Sequence, residues 1–284
     1  MIRRTVLTSA LSAMAAACSP LGALNALGPR DRGASCIARD VVYGAHARQR
    51  LDIYAPDTTD APLPTVVFFY GGGWHSGSKG LYGWAGQALA AQGFVVMVPD
   101  YRLVPEVHFP AFIEDAAAAT AHGAQIAERH GGDPRKLGVI GHSAGAHLAT
   151  MITLDERYMR GVGHAGAIRA CVGLAGPYEF LPLDVAASIN AFSRAPDLSQ
   201  TQPITFARAD APPMWLGHGS EDRTVHAEDT HLLHQALTEA GAPCEKRIYE
   251  GLNHADLIAT FSPMFRRKAP VLADVTAFLA RTLT

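Results

Sequence analysis

The pentapeptide Gly141-His142-Ser143-Ala144-Gly145 is the sequence feature that most constrains the fold of this chain. It follows a short apolar run and opens an alanine-rich stretch, a pattern that indicates a strand, a tight turn and a helix. In such a turn the central residue has a strained backbone, and the flanking glycines let strand and helix pass closely. The Ser143 hydroxyl would lie at a helix N-terminus, where developing negative charge is stabilised. The motif also occurs in ordinary turns, so a chemical role for Ser143 depends on partners elsewhere in the chain.

Short apolar runs alternate with helical patterns along most of the chain. The runs suit parallel strands buried on both faces, and they occupy residues 65–70, 94–98, 137–140, 170–174 and 213–216. Apolar side chains recur at helical spacing in 109–124, 232–237 and 270–279. More polar segments predict an antiparallel edge pair at 39–43 and 49–54, where Leu51 and Ile53 alternate with polar neighbours, and a last edge strand at 244–249. We therefore predict an α/β fold: a mostly parallel central sheet with an antiparallel N-terminal edge and helices on both faces.

The size and composition indicate one large domain and no nucleic-acid partner. With 284 residues, 48% of them hydrophobic, the chain can bury a sizeable core, which we place at 38–284. A net charge of −2 provides no basic field for nucleic acid. Residues 177–210 are rich in Pro, Ser and Asp and only weakly periodic, which predicts a cap-like insertion of short helices and loops. Such segments lie over the carboxyl edge of open α/β sheets, where sites form.

The N-terminus has the pattern of an export signal. Two arginines precede an apolar run at 6–17 that is too short to span a bilayer. Ala15-Ala16-Ala17-Cys18 resembles a bacterial lipobox, although the preferred leucine three places before Cys18 is missing. Lipidation of Cys18 with membrane attachment, simple signal cleavage, and a cytosolic chain with a frayed N-terminus all remain open. We expect a leader at 1–18, a linker at 19–37, and an exported protein that is periplasmic or membrane-anchored.

A glycine loop upstream of the pentapeptide can supply donors for an oxyanion. Three successive glycines at 71–73 follow the first buried strand. Glycines let the backbone approach a substrate closely, although a flexible turn also explains them. Acyl transfer by a serine requires N–H donors for the oxyanion. We assign this role to Gly72, Gly73 and Ala144, the last being the residue after the serine.

Two downstream groups complete the set that an acyl-transfer serine requires, a base and a carboxylate that orients it. Asp222 follows a predicted strand and is the preferred carboxylate; Glu221 and Asp229 are the alternatives, the latter fitting a helix start. His254 lies in a loop after the last predicted strand, where the chain order Ser…Asp…His requires the base. Other histidines near these motifs are expected to support or line the site: His75, His142, His147 and His218.

With these motifs, residues 38–284 resemble the α/β-hydrolases, and locally the hormone-sensitive-lipase-like and feruloyl-esterase-like carboxylesterases. The segment 100–115, which starts Asp-Tyr-Arg-Leu, is similar to the one after their fourth strand. One departure is Tyr70, where those lipases usually have a histidine before the glycines. We call the turn at 141–145 the elbow. Its continuation at 144–149 and the segment 74–79 after the glycines resemble kynurenine formamidases and isoprenylcysteine methylesterases, which share the fold.

The resemblance implies a serine carboxylesterase that uses Ser143, Asp222 and His254 and needs no metal or cofactor. Trp74, Tyr178 and the insertion are expected to shape the pocket for a small-molecule ester, and their bulk favours short acyl chains. An arylformamidase-like amidase and a non-catalytic binding protein of the same fold are the alternatives. The cysteines outside the leader show neither a disulfide framework nor metal-ligand spacing; they are Cys36, Cys171 and Cys244.

Overall fold

An eight-stranded sheet organises the computed structural model of the chain, which describes residues 20–284. The strands are β1 (Ala34–Val42), β2 (Arg50–Pro56), β3 (Leu63–Phe69), β4 (Val95–Pro99), β5 (Gly132–His142), β6 (Ile168–Leu174), β7 (Met214–Gly219) and β8 (Cys244–Tyr249). They lie in the order β1-β2-β4-β3-β5-β6-β7-β8. β1 and β2 are antiparallel to their neighbours, and the other six strands are parallel to one another. The predicted sheet with its antiparallel N-terminal edge is confirmed.

Helices connect these strands in a way that creates one crevice. They are α1 (Pro20–Leu27), α2 (Gly83–Ala90), α3 (Ala111–Ile126), α4 (Ala144–Leu154), α5 (Glu156–Gly161), α6 (Ala186–Phe192), α7 (Ala227–Ala240), α8 (His254–Ala259) and α9 (Val271–Thr282). The chain moves from β3 outward to β4 and then back past β3 to β5. Right-handed crossovers therefore place α2 on one face of the sheet and α3, α4 and α7 on the other. At this reversal the loops that leave β3 and β5 are neighbours.

Strand β2 does not have the alternating exposure that its sequence predicts. Asp52 lies between Leu51 and Ile53, yet its side chain is buried. Its carboxylate accepts hydrogen bonds from Lys79 Nζ at 2.7 Å and from the backbone N–H of Asp40 at 2.9 Å. A 3₁₀ turn (Lys79–Tyr82) brings the lysine over this part of β2. The polar residue can point inward because these partners replace its contacts with water.

The segment 19–37, expected to be a linker, is structured over its described part. It contains α1, and β1 begins inside it at Ala34. Leu24 is buried in the core, and the Asp31 carboxylate accepts two hydrogen bonds from Arg266 at 2.8 Å. This segment therefore packs against the rest of the fold, because it buries apolar surface and pairs a charge. The leader and Cys18 lie outside the described residues, and no helix within 20–284 is long and apolar enough to cross a membrane.

The turn between β5 and α4 has the strained backbone that the pentapeptide predicts. Ser143 has φ 57° and ψ −126°, a conformation that residues with side chains rarely adopt. A Cβ at Gly145 would lie 2.1 Å from the Phe69 carbonyl oxygen, and one at Gly141 would lie 2.1 Å from the Gly145 carbonyl oxygen. Glycine at both positions is what allows α4 to pass so closely over the ends of β3 and β5.

Replacing Gly145 with Ala should destabilise the fold by about 3 kcal/mol or more, because the added methyl overlaps main-chain atoms that cannot move aside. Urea unfolding measures this change. Gly161→Ala is the matched control: a Cβ at this last residue of α5 meets nothing within 4 Å. Its unfolding free energy should stay within about 0.5 kcal/mol of wild type. Equal stability of the two variants would contradict the close approach.

Candidate active site

The carboxyl ends of three strands bring the predicted chemical groups to one edge of the sheet. Ser143 follows β5, Asp222 comes after β7, and His254 comes after β8. β7 and β8 are adjacent, so the segments that follow them are neighbours. Parallel strands all end at the same edge, which is why residues far apart in the sequence converge here.

Asp222 and His254 are in direct contact. His254 Nδ1 lies 2.7 Å from Asp222 Oδ2. The other carboxylate oxygen, Oδ1, accepts hydrogen bonds from the backbone N–H groups of Thr224 at 2.8 Å and Val225 at 3.0 Å. These contacts fix the carboxylate in the turn after β7. Because Nδ1 donates to it, the neutral imidazole carries its lone pair on Nε2, the tautomer that a general base requires.

The two alternative carboxylates lie in other surroundings. Glu221 is exposed. Asp229 Oδ1 accepts hydrogen bonds from the backbone N–H groups of Tyr178 at 2.6 Å and Glu179 at 2.9 Å, so it holds the first residues of the insertion. Asp222 is therefore the carboxylate that the fold brings to His254.

A second imidazole, that of His218, shares the Asp222 carboxylate. Its Nε2 lies 3.2 Å from Asp222 Oδ2 and 3.0 Å from the Val225 carbonyl oxygen, and its Nδ1 lies 2.8 Å from Thr230 Oγ1. Burial raises the pKa of Asp222, but the hydrogen bonds from His218 and His254 outweigh it and hold that pKa well below its ordinary value. Asp222 thus stays ionised near neutral pH and can stabilise positive charge on His254.

The other histidines expected near the site differ in their positions. His75 is exposed, whereas His142 and His147 are buried. His142 Nε2 lies 3.1 Å from the main-chain carbonyl oxygen of His254. His147 Nε2 lies 2.9 Å from the carbonyl oxygen of Thr201, in the insertion. Burial lowers the pKa of His147 to about 4, so this side chain ties α4 to the insertion as a neutral donor.

The glycine loop and the start of α4 meet around Ser143. A Cβ at Gly71 would lie 2.9 Å from the Ser143 Cβ. Gly72 and Gly73 have φ values of 137° and 58°, which favour glycine and turn the backbone sharply. Ala144 is the first residue of α4, so its N–H has no acceptor one turn back in the helix. The predicted oxyanion donors are therefore carried by two segments in contact with each other.

Tyr70, which precedes the glycines, fastens their loop to the sheet. Its hydroxyl donates to Asp100 Oδ1 at 2.7 Å and accepts from Arg48 Nη2 at 2.8 Å. The Tyr101 hydroxyl donates to the Tyr70 carbonyl oxygen at 2.9 Å, and the two rings stack with centroids 4.9 Å apart. Sequence reasoning identified Tyr70 only as a departure and missed Arg48, because their contact joins distant segments.

Trp74 belongs to a buried aromatic cluster directly after the glycine loop. Its ring centroid lies 4.8 Å from that of Phe192 and 6.0 Å from that of Phe180, both in the insertion. The His147 ring meets it edge-on at 5.4 Å. Trp74 thus joins the glycine loop, the helix that follows Ser143 and the insertion, which is where a pocket wall was expected.

Tyr178 has a different position from the one its sequence context suggests. Its side chain is fully buried, and a Cβ at Gly173 of β6 would lie 2.1 Å from its hydroxyl oxygen. The ring also packs over Gly176, so it turns back over the glycines of its own strand and loop. Its side chain therefore offers no exposed surface, and its hydrogen bond to Asp229 comes from the main chain.

His254 begins a helix, whereas the sequence predicts a loop around it. Helix α8 starts at His254, and the Asn253 side chain caps it by accepting hydrogen bonds from the N–H groups of Ala255 at 3.0 Å and Asp256 at 2.9 Å. Six residues are too few to show helical periodicity. The available signal is Asn253 itself, since Asn is a favoured N-cap residue.

A cavity of about 390 Å³ opens beside His254. Five further residues line it: Glu221, Arg223, Thr224, Asn253 and Ala255. Water can therefore reach the histidine from this side.

Comparison with known proteins finds relatives of this chain. Residues 51–237 match the BD-FAE family model. The chain is 29% identical to isoprenylcysteine alpha-carbonyl methylesterase ICME of Arabidopsis thaliana, over 86% of this chain and 62% of that protein. It is 31% identical to esterase LipC of Mycobacterium tuberculosis, over 70% of this chain and 54% of that protein. Among solved structures, Thermogutta terrifontis esterase 2 has a TM-score of 0.70 at 26% identity, over 89% of this chain and 96% of that one. The chain spans 51% to 62% of the length of its first curated relatives.

Asp222 and Asp229 should contribute to stability with opposite pH dependence. The pKa of Asp222 is lowered on folding, so its contribution is present at neutral pH and is lost as the pH falls below about 4. Burial raises the pKa of Asp229, so its contribution becomes more favourable as the pH falls. Urea unfolding of Asp222→Asn and Asp229→Asn from about pH 2 to 7 measures both. The unfolding free energy of wild type minus that of Asp222→Asn should fall toward acid pH. The same difference for Asp229→Asn should rise toward acid pH. Parallel curves for the two variants would contradict these surroundings.

Proposed function

The chain belongs to the BD-FAE family and has the α/β-hydrolase fold, and we propose that it is a serine carboxylesterase acting on short-chain acyl esters. The names of the three relatives described above support an ester substrate, since they are two esterases and a methylesterase. The observation that carries the proposal is the hydrogen bond between His254 and Asp222, at the same sheet edge as a serine in a strained turn.

In the proposed reaction the Ser143 hydroxyl oxygen attacks the acyl carbonyl carbon while His254 Nε2 takes the hydroxyl proton. Asp222 keeps the imidazole oriented and stabilises its positive charge. The bond to the alcohol then breaks, and His254 returns the proton to the departing oxygen. Water attacks the resulting acyl-enzyme with His254 again as the base, which releases the acid and restores Ser143. The cavity beside His254 supports the entry of this water.

The N–H groups of Gly72, Gly73 and Ala144 are the proposed donors for the oxyanion. The N-terminus of α4 adds partial positive charge beside Ser143, which favours the same intermediate. The contact between the Gly71 backbone and Ser143 supports the placement of the loop donors. Donors carried by a packed main chain need little reorganisation when the charge develops, which is the source of their catalytic effect.

The aromatic cluster after the glycine loop supports a preference for short acyl chains. Trp74, Phe180 and Phe192 already fill this space with their rings. Each additional methylene contributes about 0.8 kcal/mol only where the protein can bury it. The described insertion carries one α-helix of seven residues, α6, and two 3₁₀ turns of four residues each, and all are short for a lipase lid. We therefore infer a shallow pocket for the acyl group.

Ser143→Ala should lower kcat for p-nitrophenyl acetate by about 10⁴-fold or more, because the remaining oxyanion donors alone give only weak catalysis. Circular dichroism and urea unfolding should match wild type, since the elbow accepts a smaller side chain. Ser35→Ala, on an exposed position of β1, is the control and should keep the wild-type rate. Retention of more than about a tenth of the rate by Ser143→Ala would exclude Ser143 as the nucleophile.

A panel of p-nitrophenyl esters from acetate to palmitate should give the highest kcat/KM between about two and six carbons, with little turnover beyond about ten. Phe180→Ala should extend the tolerated length, because this half-buried ring belongs to the cluster and its loss opens space there. A maximum at palmitate, or a rate jump above the critical micelle concentration, would identify a lipase. Faster turnover of N-formylkynurenine than of any ester would identify the arylformamidase-like alternative.

A further inference from the structure

The side chain of His142 connects the elbow that carries Ser143 with the main chain of His254. It is 2% exposed, and its Nε2 lies 3.1 Å from the His254 carbonyl oxygen. The two imidazole rings are also close, with centroids 4.9 Å apart and planes at 41°. A residue covalently next to the nucleophile therefore contacts both the ring and the backbone of the base.

The hydrogen bond determines the tautomer of His142. A carbonyl oxygen only accepts, so Nε2 must donate and the neutral ring carries its lone pair on Nδ1. Nδ1 is buried without a hydrogen-bond partner among the described residues, and a Cβ at Gly71 would lie 3.1 Å from it. Burial, with a smaller effect from neighbouring His254, lowers the pKa of His142 to about 3. The ring thus stays neutral near pH 7, adds no charge beside His254, and is not a proton shuttle.

We propose that His142 is a positioning residue, whose hydrogen bond to the His254 carbonyl oxygen sets the distance between the nucleophile and its base. This inference rests on the proposed function of Ser143 and His254. Asp222 holds the far side of the imidazole through Nδ1, and Asn253 caps the helix that His254 begins. His142 supplies the hydrogen bond that connects His254 directly to the elbow. A misplacement of about 1 Å in such a pair can cost roughly 100-fold in rate.

Two substitutions of similar length separate the hydrogen bond from the volume of the ring. Glutamine places an amide N–H donor near the position of Nε2, whereas methionine fills a comparable space without a donor. His142→Met should lower kcat for p-nitrophenyl acetate by about 10- to 100-fold while KM stays within about twofold. His142→Gln should remain within about threefold of wild type. Urea unfolding of both variants checks that their stabilities match.

Two outcomes of these assays would overturn the proposal: His142→Met keeping at least about half of the wild-type kcat, or His142→Gln falling as far as His142→Met. A second readout does not require turnover. The proton on His254 Nδ1, held against Asp222, should give a downfield proton resonance that Asp222→Asn removes. His142→Met should broaden or shift this resonance, and His142→Gln should preserve it. If wild type hydrolyses no ester, the proposed function fails, yet an unchanged resonance in His142→Met would still refute the positioning role on its own.

Discussion

The passage of α4 over the end of β3 is the contact on which the site depends. The Phe69 carbonyl oxygen occupies the space that any side chain at Gly145 would need, so main chain packs directly on main chain. Because Phe69 leads into the glycine loop, the same contact sets the distance from that loop to Ser143. The Ser143 N–H donates to the Leu174 carbonyl oxygen at 2.8 Å, so the strained residue is also tied to the neighbouring strand. Main-chain packing therefore fixes the positions of Ser143 and the glycine loop relative to each other.

Features encoded by local pattern were predictable from the sequence. The parallel strands appear as apolar runs, and the elbow appears as glycines around a serine, because both depend on the residues at those positions alone. Chain order then indicated Asp222 and His254, which the fold brings into contact. Their catalytic roles, and those of the oxyanion donors, stay predictions that the proposed variants test.

Features that depend on the three-dimensional course of the chain were not predictable. The alternating pattern predicts that Asp52 is exposed, and its burial is explained by hydrogen bonds from Lys79 and from the Asp40 N–H. His218 was expected to support or line the site, but the sequence did not show that it contacts the Asp222 carboxylate. Tyr178 resembles a pocket residue because it follows a strand end, but its ring folds back over glycines whose missing side chains leave room for it. The contact between Asp52 and Lys79 joins distant segments, whereas those of His218 and Tyr178 depend on turns of the main chain that the residue pattern does not show.

The insertion contacts the elements around Ser143 through hydrogen bonds and through the aromatic cluster. Thr201 accepts from His147, Asp229 holds the N–H groups at 178 and 179, and the Ala187 Cβ lies 3.5 Å from where a Cβ on Gly73 would be. Ser143, Asp222 and His254 all lie outside it. Most of the residues proposed to shape the pocket thus belong to a different stretch of the chain from the proposed catalytic groups, with Trp74 beside the glycine loop as the exception. Evolution can therefore exchange or lengthen this one segment, and so change the preferred substrate, without altering Ser143, Asp222 or His254.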